Sequence, residues 1–150
     1  MDKASRKAAE KDEADLNALE KEALLRQLFV EALSQGKLSL IEKLFAPDFV
    51  DHSTPEQEPG YAGVQAYFRA VRAGFPDIQV SLEDMIVQGE KVAVRTTWRG
   101  THLGTYEGVA PTGQPVTRSL IQIFRIVVGL ITEEWNAGAG LLDGLQERKG

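Results

Sequence analysis

The order of the hydrophobic periodicities predicts an α+β domain, in which N-terminal helices pack on a curved antiparallel sheet. Apolar residues recur at three- and four-residue steps before Pro76 and at two-residue steps after it. The first spacing forms an apolar stripe on a helix, and the second forms one face of a half-buried strand. A run of helices followed by a run of strands is typical of α+β folds.

Three helices are predicted before the strands. The first extends from about Asp15 to Gly36, and the second is short and ends at Pro47. The third covers 64–71 and ends at Gly74. The stripe of the first helix consists of Leu25, Leu28, Phe29, Ala32 and Leu33.

The alternating segments predict one short strand and four further strands, at 49–50, 78–83, 92–99, 117–127 and 130–136. The turn at 127–131 has no polar side chain, although a hairpin tip between surface strands is usually polar. We therefore expect this tip to be buried, either in an oligomer interface or beneath the N-terminal extension.

Composition predicts one domain with two short appendages. Residues 1–14 are charged and poor in large apolar groups, which predicts a disordered extension. The domain is expected to cover 15–137, and the glycine-rich stretch 138–150 is expected to form a short tail.

The composition also excludes several classes of function. The chain has no cysteine, so disulfides, thiolate nucleophiles and cysteine metal sites are ruled out. The two histidines show no metal-ligand spacing. A net charge of −5 without a Lys/Arg cluster argues against a nucleic-acid partner. The sequence has neither an apolar run of membrane-spanning length nor a secretory signal, so we expect a soluble, cytoplasmic protein without a membrane partner.

Segments covering about residues 24 to 136 resemble the SnoaL-like polyketide cyclases, or ester cyclases, of the NTF2-like superfamily. They are LFAPDFVDH at 44–52, GVQAYFRAVRAGFPDIQVSLEDMI at 63–86, VAVRTTWRGTHLGTYEGVAPTGQPV at 92–116 and IQIFRIVVGLITEEW at 121–135. The resemblance implies an NTF2-like (cystatin-like) cone that binds a small hydrophobic carbonyl compound. It also implies aldol-type ring closure by a carboxylate and a histidine, without metal or organic cofactor, in a homodimer.

The resemblance assigns the family's principal carboxylate to position 136 and its assisting histidine to position 122. This chain has Asn136 and Gln122 there, and neither amide can accept a proton near pH 7. Alternate residues of a strand share a face, so Glu134 would lie beside Asn136. Glu134 is then the candidate base, because an apolar pocket raises the pKa of a carboxyl group. The alternative is a rim residue paired with Arg118 or Arg125.

Asp51 and His102 are the other catalytic candidates. Asp51 and His52 are adjacent on a strand, so they should face opposite ways. Asp51 has the parity of the base position in NTF2-like ketosteroid isomerases, whereas His52 could contact ligand or turn to the loop at 53–62. His102 ends a strand, where it either reaches the pocket mouth or fixes a loop.

Further side chains are expected to contact a ligand. Trp98 and Tyr67 suit a flat hydrophobic molecule, although each could instead be an ordinary core aromatic. Arg118 and Phe124 share the face of Gln122. Two functions therefore remain: an acid/base enzyme of cyclase, isomerase or lyase type, and a non-catalytic binding or dimerisation module on the same fold.

Overall fold

The computed structural model describes residues 2–145, except for the side chains of 14–16. Helix α1 spans Lys3–Arg26 and begins where the Asp2 carboxylate accepts a hydrogen bond from the Ser5 N–H at 2.8 Å. The stretch 1–14, for which the composition predicts disorder, is thus helical from Lys3 onward and has exposed side chains over 2–13.

The helix continues over Gln27–Ser34 with wider, π-helical turns. Its Gln35 N–H bonds to the Val30 carbonyl, five residues back, at 3.0 Å. A tight turn at Leu38–Leu40 leads into α2, Ile41–Leu44. After a loop, α3 spans Gly60–Gly74.

The sheet has the order β1-β5-β4-β3-β2. Strand β1 runs parallel to β5, and the other neighbours are antiparallel. The strands are β1 Phe45–Asp51, β2 Gln79–Gln88, β3 Lys91–Thr101, β4 Pro115–Val127 and β5 Leu130–Gly138. The predicted α+β class, with three helices packed on a curved sheet, is confirmed.

One predicted boundary is wrong. Pro47 was expected to end the second helix, but α2 already ends at Leu44 and Pro47 lies within β1. Strand β1 is at the edge of the sheet, where a residue without an N–H is tolerated.

The core lies between the helices and one face of the sheet. The predicted stripe of the first helix is buried, with Leu25, Ala32 and Leu33 at 0 % exposure. Phe29 packs edge-on against Trp98 of β3 and Phe124 of β4, with ring centroids 6.0 and 6.1 Å away. These contacts fix the helix over the middle of the sheet.

The β4–β5 tip is exposed. Val128 is 96 % exposed, so the N-terminal helix does not cover it. Val128 and Gly129 have φ values of 50° and 75°, as in the two-residue turns that match the twist of a hairpin. A branched side chain at positive φ is strained.

The C-terminal segment, residues 139–145, follows β5 and folds back over the sheet. The Arg118 guanidinium donates to the carbonyl oxygens of Gly140, at 3.1 Å, and Asp143. Leu141 is only 7 % exposed and joins the core. The predicted tail 138–150 is therefore packed against the domain at least to Leu145; residues 146–150 lie outside the described part of the chain.

No helix within the described range 2–145 is long and apolar enough to cross a membrane.

Candidate active site

A cavity of about 300 Å³ lies between the concave face of the sheet, the helices and the C-terminal segment. Its apolar walls are formed mainly by Leu28, Phe29, Phe45, Phe49, Val64, Phe68, Trp98, Leu120, Phe124, Leu141 and Leu142. Its polar side chains are Asp51, Thr54, Gln57, Tyr67, Tyr106, Glu107, Gln122, Glu134, Asn136 and Asp143. The lining thus combines apolar and polar side chains in similar numbers.

Glu134 presents its carboxyl group to this cavity. Its Oε2 accepts hydrogen bonds from Gln122 Nε2 at 3.2 Å and from Asn136 Nδ2 at 3.0 Å. Burial, followed by the charge of Asp51, raises the pKa of Glu134 to about 7, although both amide donors act to lower it. Both protonation states are therefore populated near neutral pH.

Strand geometry brings these groups together. Glu134 pairs with Phe124 on β4, and Asn136 pairs with Gln122. Alternate residues of β4 and β5 face the cavity, so the two amides occupy the wall on which Glu134 stands. Behind this wall, the Thr96 hydroxyl lies 3.1 Å from Gln122 Oε1 and accepts from Trp98 Nε1 at 3.0 Å.

Asp51 lies in the cavity, while His52 lies on the opposite face of the sheet. Asp51 is the parallel partner of Glu134, and its Oδ1 accepts from the Ser53 N–H at 2.9 Å. Burial raises the pKa of Asp51. His52 stacks on Trp135, with ring centroids 4.8 Å apart, and contacts Glu133 Oε1 at 3.1 Å. The structure thus separates His52 from the cavity.

Two phenols line the cavity alongside Glu134. Tyr67 comes from α3 and Tyr106 from the β3–β4 loop, and a side-chain hydrogen bond links them. Burial raises the pKa of Tyr106 to about 12 and that of Tyr67 well above its usual value. Both phenols therefore stay protonated across the neutral range. The mutual hydrogen bond raises the pKa of Tyr67 and lowers that of Tyr106, so Tyr67 donates to Tyr106 and the Tyr106 proton is left for a ligand.

His102, predicted as a catalytic group, does not line the cavity. Strand β3 ends at Thr101, so the strand alternation that aligned His102 with Trp98 no longer applies. The ring is fully buried, stacks on Phe75 at 5.3 Å and accepts from the Thr112 N–H at Nδ1, 3.3 Å away. It fixes the β3–β4 loop, the alternative that the sequence left open.

Arg118, predicted to contact ligand, is also absent from the cavity lining within residues 2–145. Its guanidinium is bonded to the carbonyl oxygens of Thr117, Gly140 and Asp143. Its position on the strand has the predicted parity, but the C-terminal segment lies between it and the cavity mouth. The remaining predicted ligand contacts, Trp98, Tyr67, Gln122, Phe124 and Asn136, all line the cavity.

Sequence reasoning missed several lining groups. Tyr106 and Glu107 reach the cavity because Tyr106 and Val109 pair around a turn with positive φ at Glu107 and Gly108, 47° and 78°. The glycine at position 108 is the only local signal for this turn. Thr54 and Gln57 come from a predicted loop, and 138–143 from a predicted tail.

Within the part of the chain that the structure describes, no cluster of three or more His, Asp or Glu side chains is arranged to hold a metal ion.

The fold and cavity define an NTF2-like cone with carboxyl groups in its pocket. A profile of the SnoaL-like polyketide cyclases matches residues 23–139. The match covers most of the chain, so the protein belongs to the SnoaL-like polyketide cyclase family. A search of the curated proteins finds no match.

Solved structures with the same fold include three Streptomyces proteins. TsrD from Streptomyces laurentii has a TM-score of 0.74 and 25 % identity, over 80 % of this chain and 88 % of its own. AclR from Streptomyces galilaeus, a putative hydroxylase, has a TM-score of 0.70 and 32 % identity, over 81 % of this chain and 90 % of its own. IdmH from Streptomyces antibioticus, a putative polyketide cyclase, has a TM-score of 0.66 and 30 % identity, over 78 % of this chain and 90 % of its own.

Proposed function

We propose that this protein is a cofactor-independent acid/base enzyme acting on a hydrophobic carbonyl compound, with Glu134 as the base. The observation that carries the proposal is the Glu134 carboxyl group in the cavity, with a pKa of about 7. A base with a pKa near the working pH can both remove and return a proton. Membership of the polyketide cyclase family, and its neighbour IdmH, support an aldol-type or isomerase-type reaction.

In this mechanism Glu134 removes a proton from a carbon next to the ligand carbonyl. The negative charge then develops on the carbonyl oxygen, where hydrogen-bond donors stabilise it. Tyr106 is a protonated donor in the same cavity, and Tyr67 donates its own proton to the Tyr106 oxygen. The resulting enolate either attacks a second carbonyl within the molecule, whose oxygen then takes the proton from Glu134, or takes that proton back at another carbon.

Proton abstraction can be tested without the natural substrate. The probe is an aromatic β-keto ester, whose activated C–H exchanges with D₂O and is followed by proton NMR. We expect catalysed exchange in the wild type and a fall of at least about tenfold in Glu134→Gln, the size typical of a lost general base. The matched control is Glu133→Gln, since Glu133 contacts His52 and Arg125 instead of the cavity. Equal rates in Glu134→Gln and wild type would contradict the assignment.

A non-catalytic binding module is the second candidate. The presence of amides at Asn136 and Gln122, where the family resemblance implies an acid and a histidine, favours it. This candidate predicts probe binding by titration calorimetry without exchange above background. It also predicts that the double variant Asn136→Asp, Gln122→His gains exchange activity.

We also propose a homodimer that buries the outer face of the sheet. Trp135, Ile123, Ala93 and Ile86 are neighbours across β5, β4, β3 and β2 and form an apolar strip. Ile123 and Ile86 are 38 % and 70 % exposed. Two ion pairs flank the strip, Arg95 with Asp84 and Arg125 with Glu133. In a second copy related by a two-fold axis, positive groups can therefore lie opposite negative groups of the first copy.

A further inference from the structure

A chain of hydrogen bonds determines which atoms face Glu134. Trp98 Nε1–H is 3.0 Å from Thr96 Oγ1, and an indole can only donate. The single hydroxyl proton of Thr96 is therefore available for Gln122 Oε1, 3.1 Å away. The Gln122 oxygen is thus turned towards Thr96, and its Nε2–H points to Glu134 Oε2 at 3.2 Å.

The side chains that form these hydrogen bonds are shielded from solvent. Thr96, Trp98 and Gln122 are 0 %, 2 % and 5 % exposed. A buried polar group that loses its partner is costly, because water does not replace it. The orientation of the Gln122 amide is therefore held by the Thr96 hydroxyl, rather than exchanging with the flipped arrangement.

Both amides act on the same oxygen of Glu134. Gln122 Nε2 and Asn136 Nδ2 donate to Oε2, at 3.2 and 3.0 Å. Among the described residues, no hydrogen bond occupies Glu134 Oε1. The carboxyl group is thus asymmetric, with one oxygen that accepts from protein and one that is available to a ligand.

We propose that Thr96 is a positioning residue: its hydroxyl holds the Gln122 amide with the N–H towards Glu134, so that Oε1 is the atom that exchanges a proton with the ligand. The proton exchange at Oε1 rests on the proposed function. The orientation of the amide, and its effect on the charge of Glu134, are properties of the ligand-free protein.

Other charged and titratable groups surround Glu134. Asp51 faces it from β1 and Tyr67 from α3, and both interact with it electrostatically. Glu107 from the β3–β4 loop and Asp143 from the C-terminal segment line the same cavity. A substitution at Thr96 leaves these groups in place. It also removes the acceptor of Trp98 Nε1–H, but the indole carries no charge, so a shift in the titration of Glu134 reports on the Gln122 amide.

The test is a ¹³C NMR titration of the Glu134 carboxyl group in the ligand-free protein. In Thr96→Val the Gln122 oxygen loses its donor, so the amide can turn and accept from protonated Glu134. We expect the titration midpoint to rise by about one pH unit, since a donor to the charged form becomes an acceptor from the neutral form. Thr96→Ser restores the hydroxyl and should return the midpoint to the wild-type value.

The matched control is Thr97→Val, the same change at the neighbouring buried threonine, which is 6 % exposed and faces the other side of the strand. It should leave the midpoint unchanged. If valine at position 96 disrupts folding, Thr96→Ala makes the same test in a smaller side chain.

A wild-type midpoint in Thr96→Val or Thr96→Ala, or a Thr96→Ser midpoint as displaced as that of valine, would overturn the proposal. These outcomes are distinguishable from failure of the proposed function. Loss of probe exchange in Glu134→Gln with an unchanged Thr96→Val midpoint would keep Glu134 as the base and remove the role of Thr96. A shifted midpoint without catalysed exchange would do the reverse.

Discussion

At the residue scale, opposing effects set the acidity of Glu134. Burial raises its pKa most, and the neighbouring Asp51 charge raises it further. Hydrogen bonds from Asn136 and Gln122 favour the carboxylate and limit the rise. Asn136 and Gln122 are therefore the two donors that favour the charged form of Glu134.

Asp51→Asn should move the pKa of Glu134 downward, because it removes a nearby negative charge. The acid limb of the pH–rate profile for probe exchange should move to lower pH with it. Asp48→Asn, on the same strand but exposed and outside the cavity lining, is the control and should not move the limb. An acid limb that stays in place in Asp51→Asn would show that the two carboxyl groups do not interact.

Glu134 should also make stability depend on pH. Its pKa rises from 4.5 to about 7 on folding, so the folded state holds a proton that the unfolded state has lost between those values. Stability should therefore fall as pH rises through this window, by up to about 3 kcal/mol at about 1.4 kcal/mol per pH unit. Glu134→Gln lacks this dependence, and its stability relative to wild type should increase from pH 4.5 to pH 8 in urea unfolding.

Glu133→Gln provides a contrast of opposite sign. The hydrogen bond to His52 is the main factor that lowers the pKa of Glu133, and the bond to Arg125 adds to it. Stability from Glu133 is thus present above its unfolded pKa and lost as pH falls. If both variants show the same pH dependence of stability relative to wild type, the difference in environment between the two glutamates is contradicted.

At the element scale, strand alternation accounts for the part of the site that sequence could predict. It puts Gln122 and Phe124 of β4 on one wall with Glu134 and Asn136 of β5. Alternation fails where strands end, as at His102. It also cannot place groups whose direction depends on a turn or on distant side-chain bonds.

The β3–β4 loop and the C-terminal segment illustrate the two kinds of group that strand alternation cannot place. Tyr106 reaches the cavity through a turn with positive φ at Glu107 and Gly108. The segment 139–143 reaches it through side-chain bonds from Arg118, which lies on a distant part of the chain. Neither local propensity nor periodicity contains this information.

The β4–β5 tip offers a test of local strain. Val128 has a φ of 50° and is 96 % exposed, so little packing offsets the strain of a branched residue there. Val128→Asn creates the Asn-Gly pair favoured by this turn and should stabilise the protein by about 1 kcal/mol in urea unfolding. Val128→Thr keeps the branching and should gain little. Equal gains in stability from both variants would show that the exposed apolar side chain, rather than backbone strain, destabilises the wild type.

At the scale of the whole molecule, the two faces of the sheet carry different sets of side chains. The concave face carries the cavity with its carboxyl groups and phenols. The outer face carries the apolar strip beside His52, which stacks on Trp135, and Lys91, whose Nζ lies 5.3 Å from the Trp135 ring centroid. A partner on the outer face would leave the cavity accessible.

The homodimer proposal predicts that Ile123→Lys, in the middle of the strip, converts a dimer into a monomer in light-scattering measurements. A buried unpaired charge at an interface is strongly unfavourable. Val128→Lys tests the alternative from the sequence, in which the tip forms the interface. A dimer that survives Ile123→Lys and dissociates with Val128→Lys would transfer the interface to the tip, and a monomeric wild type would contradict both.

The pKa of about 7 for the Glu134 carboxyl group, in the cavity of a SnoaL-like fold, underlies the proposed mechanism. The most direct test is the ¹³C NMR titration of Glu134 in the wild-type protein, assigned by its loss in Glu134→Gln. The raised pKa of Glu134 predicts a midpoint at a pH of about 7. A midpoint at the ordinary glutamate value of 4.5 would contradict it.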